Sequence, residues 1–136
     1  MQIAGGCLGA LFVHLMFGLS PLQLSTTVRS GLPQWFAEFV ATFGLATTIL
    51  ACIRFRPDAL AFAVGLYITS AYWFTASTSF ANPAVTIARS LSDTFAGISP
   101  ANVPAFVAAE LLGGLAAAGF AAWLFAKSRT PDRSSP

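Results

Sequence analysis

Three ionisable side chains stand within long apolar stretches of the sequence: Glu38, Glu110 and His14. A carboxylate is costly to bury, so each glutamate needs hydrogen-bond donors or a proton. Two interpretations of Glu38 and Glu110 stay open. Either they are structural and accept hydrogen bonds from backbone N–H groups, or they form a proton relay. A lone histidine such as His14 is more typical of hydrogen-bonded packing than of a gate.

No group of residues in the sequence has the spacing of an active site. There is no nucleophile with a base at helical spacing and no phosphate-binding loop. Cys7 and Cys52 fall within apolar stretches, which gives neither a disulfide framework nor metal-ligand spacing. We therefore predict that the protein is not an enzyme and uses no cofactor and no metal.

The segment from Ser77 to Arg89 joins two apolar stretches and begins with small polar residues. Asn is a good N-cap and Pro suits the first helical position, so Asn82-Pro83 predicts a short helix over residues 83–91. Such a helix covers roughly half of a ~30 Å hydrocarbon core. It is either a half-helix that enters the membrane and stops or a capped helix in a surface loop.

If the helix enters the membrane, the residues before it are non-helical backbone at membrane depth. Such backbone is stable only where it is buried in protein or lines a water-filled passage. The residues that would supply this backbone are Ser77, Thr78, Phe80 and Ala81.

The composition, 56% hydrophobic and 9% charged, indicates an integral membrane protein. We predict an all-α fold of four transmembrane helices and one re-entrant half-helix. The predicted spans are residues 2–19, 34–53, 59–75 and 103–126. A formal charge of +2 without a basic run argues against nucleic acid as a partner.

Basic residues predict the orientation in the membrane. Arg54 and Arg56 in a short connection, and the basic tail at 127–136, mark the cytoplasmic side. Four spans then place both chain ends in the cytoplasm and residues 20–33 in an outer loop. The same count leaves Arg89 on the outer side.

The first and last predicted spans resemble each other and run in opposite directions, which is typical of an inverted repeat. Gly5-Gly6 corresponds to Gly113-Gly114 in this comparison. We therefore interpret 1–19 as the last span of a truncated first repeat and 34–126 as the second repeat. This interpretation predicts roughly seventy further residues upstream, with two spans and a partner half-helix.

Three features together resemble the aquaporin or major intrinsic protein family. They are the box Asn82-Pro83-Ala84 in a short helix, Ala37-Glu38-Phe39 opening a span, and Gly113-Gly114 in the last span. The resemblance implies six spans, two half-helices that meet at the membrane midplane, and a homotetramer in the cell inner membrane. In a rival register, the box is the family's first and residues 34–126 form the first repeat.

The resemblance also implies the pore residues. The box itself is the pore motif, and the position after it, usually Arg in the second repeat, is Val85 here. Two more filter positions fall on Ser70 and Ser79. Small uncharged side chains imply a wider filter for uncharged solutes such as glycerol, urea or metalloid hydroxides. Arg89, one turn beyond Val85, either charges the outer vestibule or pins the loop.

The predicted function is passive transport, with the lipid bilayer and small neutral solutes, water among them, as partners. Two alternatives remain. The chain conducts nothing by itself because half of the pore lining is missing, or it is a four-span proton-coupled exporter that uses Glu38 or Glu110.

Overall fold

The computed structural model describes residues 1–126, and every regular element in that range is helical. Short 3₁₀ turns at Pro57–Ala59 and Pro100–Asn102 lead into the third and fifth α-helices. The predicted all-α class is confirmed for these residues, and the predicted tail at 127–136 lies outside them. The five α-helices are α1 (Gln2–Met16), α2 (Leu32–Phe55), α3 (Leu60–Phe74), α4 (Pro83–Arg89) and α5 (Val103–Ala126).

Helix α1 ends at Met16, so the predicted extension of this helix to Leu19 is wrong. Gly18 adopts a left-handed φ of 66° and its N–H donates to the carbonyl oxygen of Leu15 at 3.2 Å. The N–H of Leu19 donates to the carbonyl oxygen of His14 at 2.8 Å. These two hydrogen bonds end the helix. They require a left-handed backbone at Gly18, which glycine adopts without a Cβ clash.

Helix α2 is longer than the predicted 34–53, and α3 is slightly shorter than the predicted 59–75. Pro33 lies in the first turn of α2, after Gly31 as N-cap. Proline is tolerated there because the first amides of a helix have no intrahelical acceptor.

Two helical segments in the described residues are long and apolar enough to cross a bilayer, Leu32–Phe55 and Pro100–Ala126. Helices α1 and α3 have 15 residues each. At ~1.5 Å per residue they reach about 22 Å, which is short of a ~30 Å hydrocarbon core. The count of four spans therefore stays a prediction.

Helices α2 and α5 make the most extensive helix–helix contact within residues 1–126, and they run parallel. The tilted rings of Phe43 and Phe120 have centroids 5.6 Å apart, and the ring of Phe55 meets that of Phe125 edge-on at 5.2 Å. The contacts therefore advance in the same direction along both helices. Glu38 and Glu110 are both carried by this pair, so its packing fixes the position of both carboxyl groups.

Helix α3 runs antiparallel to α2. The Tyr67 hydroxyl donates to the Ala41 carbonyl oxygen at 3.0 Å, and the Gln34 side chain donates to the Ala76 carbonyl oxygen at 2.9 Å. At one end of the α2–α5 pair, Phe80, Ile98 and Phe106 form a buried cluster. This cluster supports the segment between α3 and α4.

Candidate functional site

The segment between α3 and α4 has a strained backbone. Thr78, Ser79 and Ala81 have φ values of 64°, 49° and 52°. This left-handed region costs a non-glycine residue roughly 1–2 kcal/mol. Such a conformation persists only where its surroundings hold it. The segment therefore needs strong partners for its backbone groups.

Two buried glutamates supply those partners. Glu38 accepts the N–H of Phe80 at Oε1 (2.9 Å) and the N–H of Ala81 at Oε2 (2.8 Å). Glu110 Oε1 accepts the N–H of Asn82 at 3.2 Å and the hydroxyl of Thr86. The Thr86 hydroxyl lies 2.6 Å from this oxygen, within the ordinary range of O–H···O hydrogen bonds. Both glutamates thus accept backbone N–H groups, as the structural interpretation in the sequence analysis predicts.

Helix α4 begins as the sequence predicts. Asn82 has extended backbone angles, and its Oδ1 accepts the N–H of Ala84 at 2.8 Å, with Pro83 in the first helical turn. The helix ends at Arg89, not at Leu91 as predicted. The Ser90 hydroxyl donates to the carbonyl oxygen of Ile87, which ends the helix in a tight turn.

A cavity of about 540 Å³ lies between α1 and α4. On the α1 side its wall contains Gly6, Ala10 and His14, and on the other side it contains Asn82 and Val85. Ala84, Arg89 and Ser92 also line it. The wall is thus mostly apolar with a few hydrogen-bonding groups, which suits small amphipathic molecules.

The structure does not bring Ser70 or Ser79 to this cavity. Ser70 is exposed, and its hydroxyl donates to the carbonyl oxygen of Leu66 on the same helix at 2.8 Å. Ser79 is buried in the strained segment. Of the residues predicted to line a pore filter, Val85 is the one in the cavity wall.

Arg29 is a buried residue that sequence reasoning missed. Its Nε donates to the carbonyl oxygen of Gly97 at 2.7 Å, Nη1 to that of Ser77 at 3.1 Å and Nη2 to that of Phe95 at 2.8 Å. Burial lowers the pKa of Arg29 from its ordinary value, although a guanidinium stays charged at neutral pH. From the sequence, an arginine in a polar loop is expected to lie at the surface. No signal therefore indicates that Arg29 is buried and binds three carbonyl groups.

The guanidinium groups of Arg29 and Arg89 both contact the ring of Phe80. The guanidinium carbon of Arg89 lies 4.3 Å from the centre of the Phe80 ring, and that of Arg29 lies 5.1 Å from it. Both distances permit cation–π attraction. Arg89 thus rests on the strained segment and also lines the cavity.

His14 is buried in the cavity wall, and both of its ring nitrogens have hydrogen-bond partners. Its Nδ1 lies 3.1 Å from the carbonyl oxygen of Pro21, and its Nε2 lies 3.0 Å from the Ser92 hydroxyl. Because a carbonyl oxygen can only accept, Nδ1 must carry a proton. No cluster of three His, Cys, Asp or Glu side chains that could hold a metal occurs within residues 1–126.

Comparisons with known proteins point to one family. The family model described as "Major intrinsic protein" matches residues 52–135. The chain is 56% identical over 128 residues to a protein of Rhizobium meliloti (strain 1021) named "Aquaglyceroporin AqpS". That match covers 94% of this chain and 55% of the relative, so the chain spans about half the relative's length. No solved structure matches the chain.

Proposed function

Because the chain belongs to the major intrinsic protein family, we propose that it contributes to a passive membrane channel for small uncharged solutes. The observation that carries this proposal is the cavity between α1 and α4, with the capped box residues Asn82 and Ala84 in its wall. The name of the relative, an aquaglyceroporin, supports glycerol as one of the solutes. Water, urea and metalloid hydroxides are small and uncharged as well.

Asn82 is the first group in the cavity to which we assign a role. Its Oδ1 is occupied by the N–H of Ala84, so the side-chain NH₂ is the group left to donate to a passing solute. In the proposed arrangement, α4 enters the membrane from the outer side and its start lies near the midplane. The strained backbone held by Glu38 and Glu110 then continues the passage with its carbonyl groups.

Val85 is the residue to which we assign the width of the filter. It lies in the cavity wall one position after the box, where the family usually has Arg in its second repeat. An aliphatic side chain there leaves more room and no positive charge, which favours solutes larger than water. Ser70 and Ser79 stay predicted filter positions, and Arg89 stays a predicted vestibule charge or loop anchor.

The membrane arrangement is part of the same proposal. We place four spans in the cell inner membrane with both chain ends in the cytoplasm, and expect a homotetramer. Large apolar side chains on the outside of α3, among them Phe62, Leu66 and Trp73, are highly exposed. Such a surface suits lipid or a neighbouring subunit.

The test uses the natural gene product in proteoliposomes and measures shrinkage or uptake with water, glycerol, urea and arsenous acid. Val85→Arg should lower glycerol and urea flux by about tenfold or more, equivalent to roughly 1.4 kcal/mol of added barrier. Val85→Ala is the matched control and should keep those fluxes. A wild-type protein that passes water but neither glycerol nor arsenous acid would contradict the proposed filter, as would a Val85→Arg variant with unchanged solute flux.

The two alternatives have their own arms in this experiment. Flux that stops when the pH gradient is collapsed would favour a proton-coupled exporter. The hydrogen bonds of Glu38 and Glu110 to backbone amides, away from the cavity wall, speak against that alternative. The other alternative is that the chain does not conduct by itself. It would be favoured if the natural gene product gave flux and the 136-residue chain alone gave none.

A further inference from the structure

Two buried carboxyl groups meet at one short stretch of backbone. Glu38 binds the amides of Phe80 and Ala81, and Glu110 binds the amide of Asn82, so the pair serves three successive residues. Glu38 is 0% exposed and Glu110 is 1% exposed. The two carboxyl groups are neighbours, because they bind the N–H groups of adjacent residues, Ala81 and Asn82.

Two carboxyl groups so close together and so deeply buried cannot both carry a charge. Like charges on neighbouring buried groups repel strongly in a medium of low polarity. A hydrogen bond between two carboxyl groups also requires a proton on one of them, as in the paired carboxyl groups of known dyads. One of the two glutamates is therefore an acid, and the contacts indicate which.

Glu38 has the surroundings of a carboxylate. Both of its oxygens accept backbone N–H groups, at 2.9 and 2.8 Å, and such donors stabilise the charged form. Two positive charges are also close by, because Arg29 and Arg89 rest on the ring of Phe80, the residue whose N–H Glu38 accepts. The negative charge is therefore best placed on Glu38.

Glu110 has the surroundings of an acid. Its Oε1 accepts two donors, from Asn82 and Thr86, as the carbonyl oxygen of a carboxylic acid does. Its Oε2 is buried and has no hydrogen-bond partner among residues 1–126. An unpaired charged oxygen at such a site is costly, whereas a protonated oxygen becomes a donor to the neighbouring carboxylate.

We propose that Glu38 and Glu110 form a proton-sharing pair in which Glu110 is the neutral acid and donates from Oε2 to Glu38. The pair then holds the backbone of residues 80–82 with a single negative charge. It also links α2 to α5 at the point where both helices meet that segment. This inference concerns the protonation of the buried pair and does not depend on which solute the protein conducts.

The first test compares amide substitutions in the detergent-solubilised natural gene product. Glu110→Gln keeps a carbonyl oxygen for Asn82 and Thr86 and an N–H for Glu38, so its melting temperature should stay within about 2 °C of wild type. Glu38→Gln sets an NH₂ group against a backbone N–H, so its melting temperature should fall by about 5 °C or more. Asp58→Asn, in an exposed ion pair with Arg56, is the control for the charge change.

The second test detects the proton directly by infrared spectroscopy. At neutral pH, the wild-type protein should show the carbonyl stretch of a buried carboxylic acid, shifted in D₂O. The band should be absent from Glu110→Gln and present in Asp58→Asn. Absence of the band from wild-type protein overturns the proposal, as does a Glu110→Gln variant that is destabilised as much as Glu38→Gln.

Discussion

Replacing Gly113 with alanine should separate the two longest helices of the fold. A Cβ atom at this position would lie 2.5 Å from the carbonyl oxygen of Phe39 and 3.2 Å from the backbone nitrogen of Phe43. Backbone atoms cannot rotate away as a flexible side chain can, so α5 must move from α2. Small residues at such positions let helix backbones approach closely.

The neighbouring glycine is the matched control. A Cβ at Gly114 would meet only Cγ2 of Thr42, at 4.0 Å, which is ordinary van der Waals contact. Alanine is favoured over glycine inside a helix by about 1 kcal/mol, and this gain applies to both positions. Overpacking a tight core position costs about 1–3 kcal/mol, and a backbone clash belongs at the upper end of that range. Gly113→Ala should therefore lose about 2 kcal/mol, and Gly114→Ala should gain about 1 kcal/mol.

The assay is thermal unfolding of the natural gene product in detergent, with solute flux measured on the same preparations. The free energies correspond to a Gly113→Ala melting temperature roughly 4–8 °C lower, at about 2–4 °C per kcal/mol. Flux should fall as well, because Glu110 lies one turn before Gly113 and Glu38 is next to Phe39. Equal stability of the Gly113→Ala and Gly114→Ala variants would refute the close approach of α2 and α5 at this point.

Two further predictions concern the loops around the candidate site. Arg29→Ala should lower the free energy of unfolding by about 3 kcal/mol, because three carbonyl groups lose a charged donor. Arg89→Ala loses a cation–π contact and should lower it by about 1 kcal/mol. Equal melting temperatures of the two variants would contradict this difference. The N–H and hydroxyl of Thr26 lower the pKa of Asp93 below its ordinary 3.8. The ionised Asp93 side chain therefore contributes stability above pH 3.8, its unfolded pKa, and this stability is lost as the pH falls through the lower folded pKa. Between about pH 5 and about pH 3, the melting temperature of Asp93→Asn should thus fall less than that of wild type.

Local chemistry explains the parts of the fold that were predicted correctly. Asn82 caps α4 through the amide of Ala84, two residues further along, so the helix start depends on neighbours in sequence. The cost of burying a charge likewise predicts that Glu38 and Glu110 need donors, whatever the fold. The end of α1 was missed although Gly18 carries a local signal for it, because the apolar stretch continues to Leu19.

The amino-acid sequence was sufficient to predict the all-α class, the start of α4 and the need of two glutamates for hydrogen-bond partners. The identity of those partners depends on tertiary packing, because Phe80 and Asn82 lie 42 and 28 positions from the glutamates that bind them. Tertiary packing also decided that Arg29 is buried on carbonyl groups of Ser77, Phe95 and Gly97. Contacts over such separations depend on how the helices pack. No local sequence pattern therefore predicts which side chains the packing brings together.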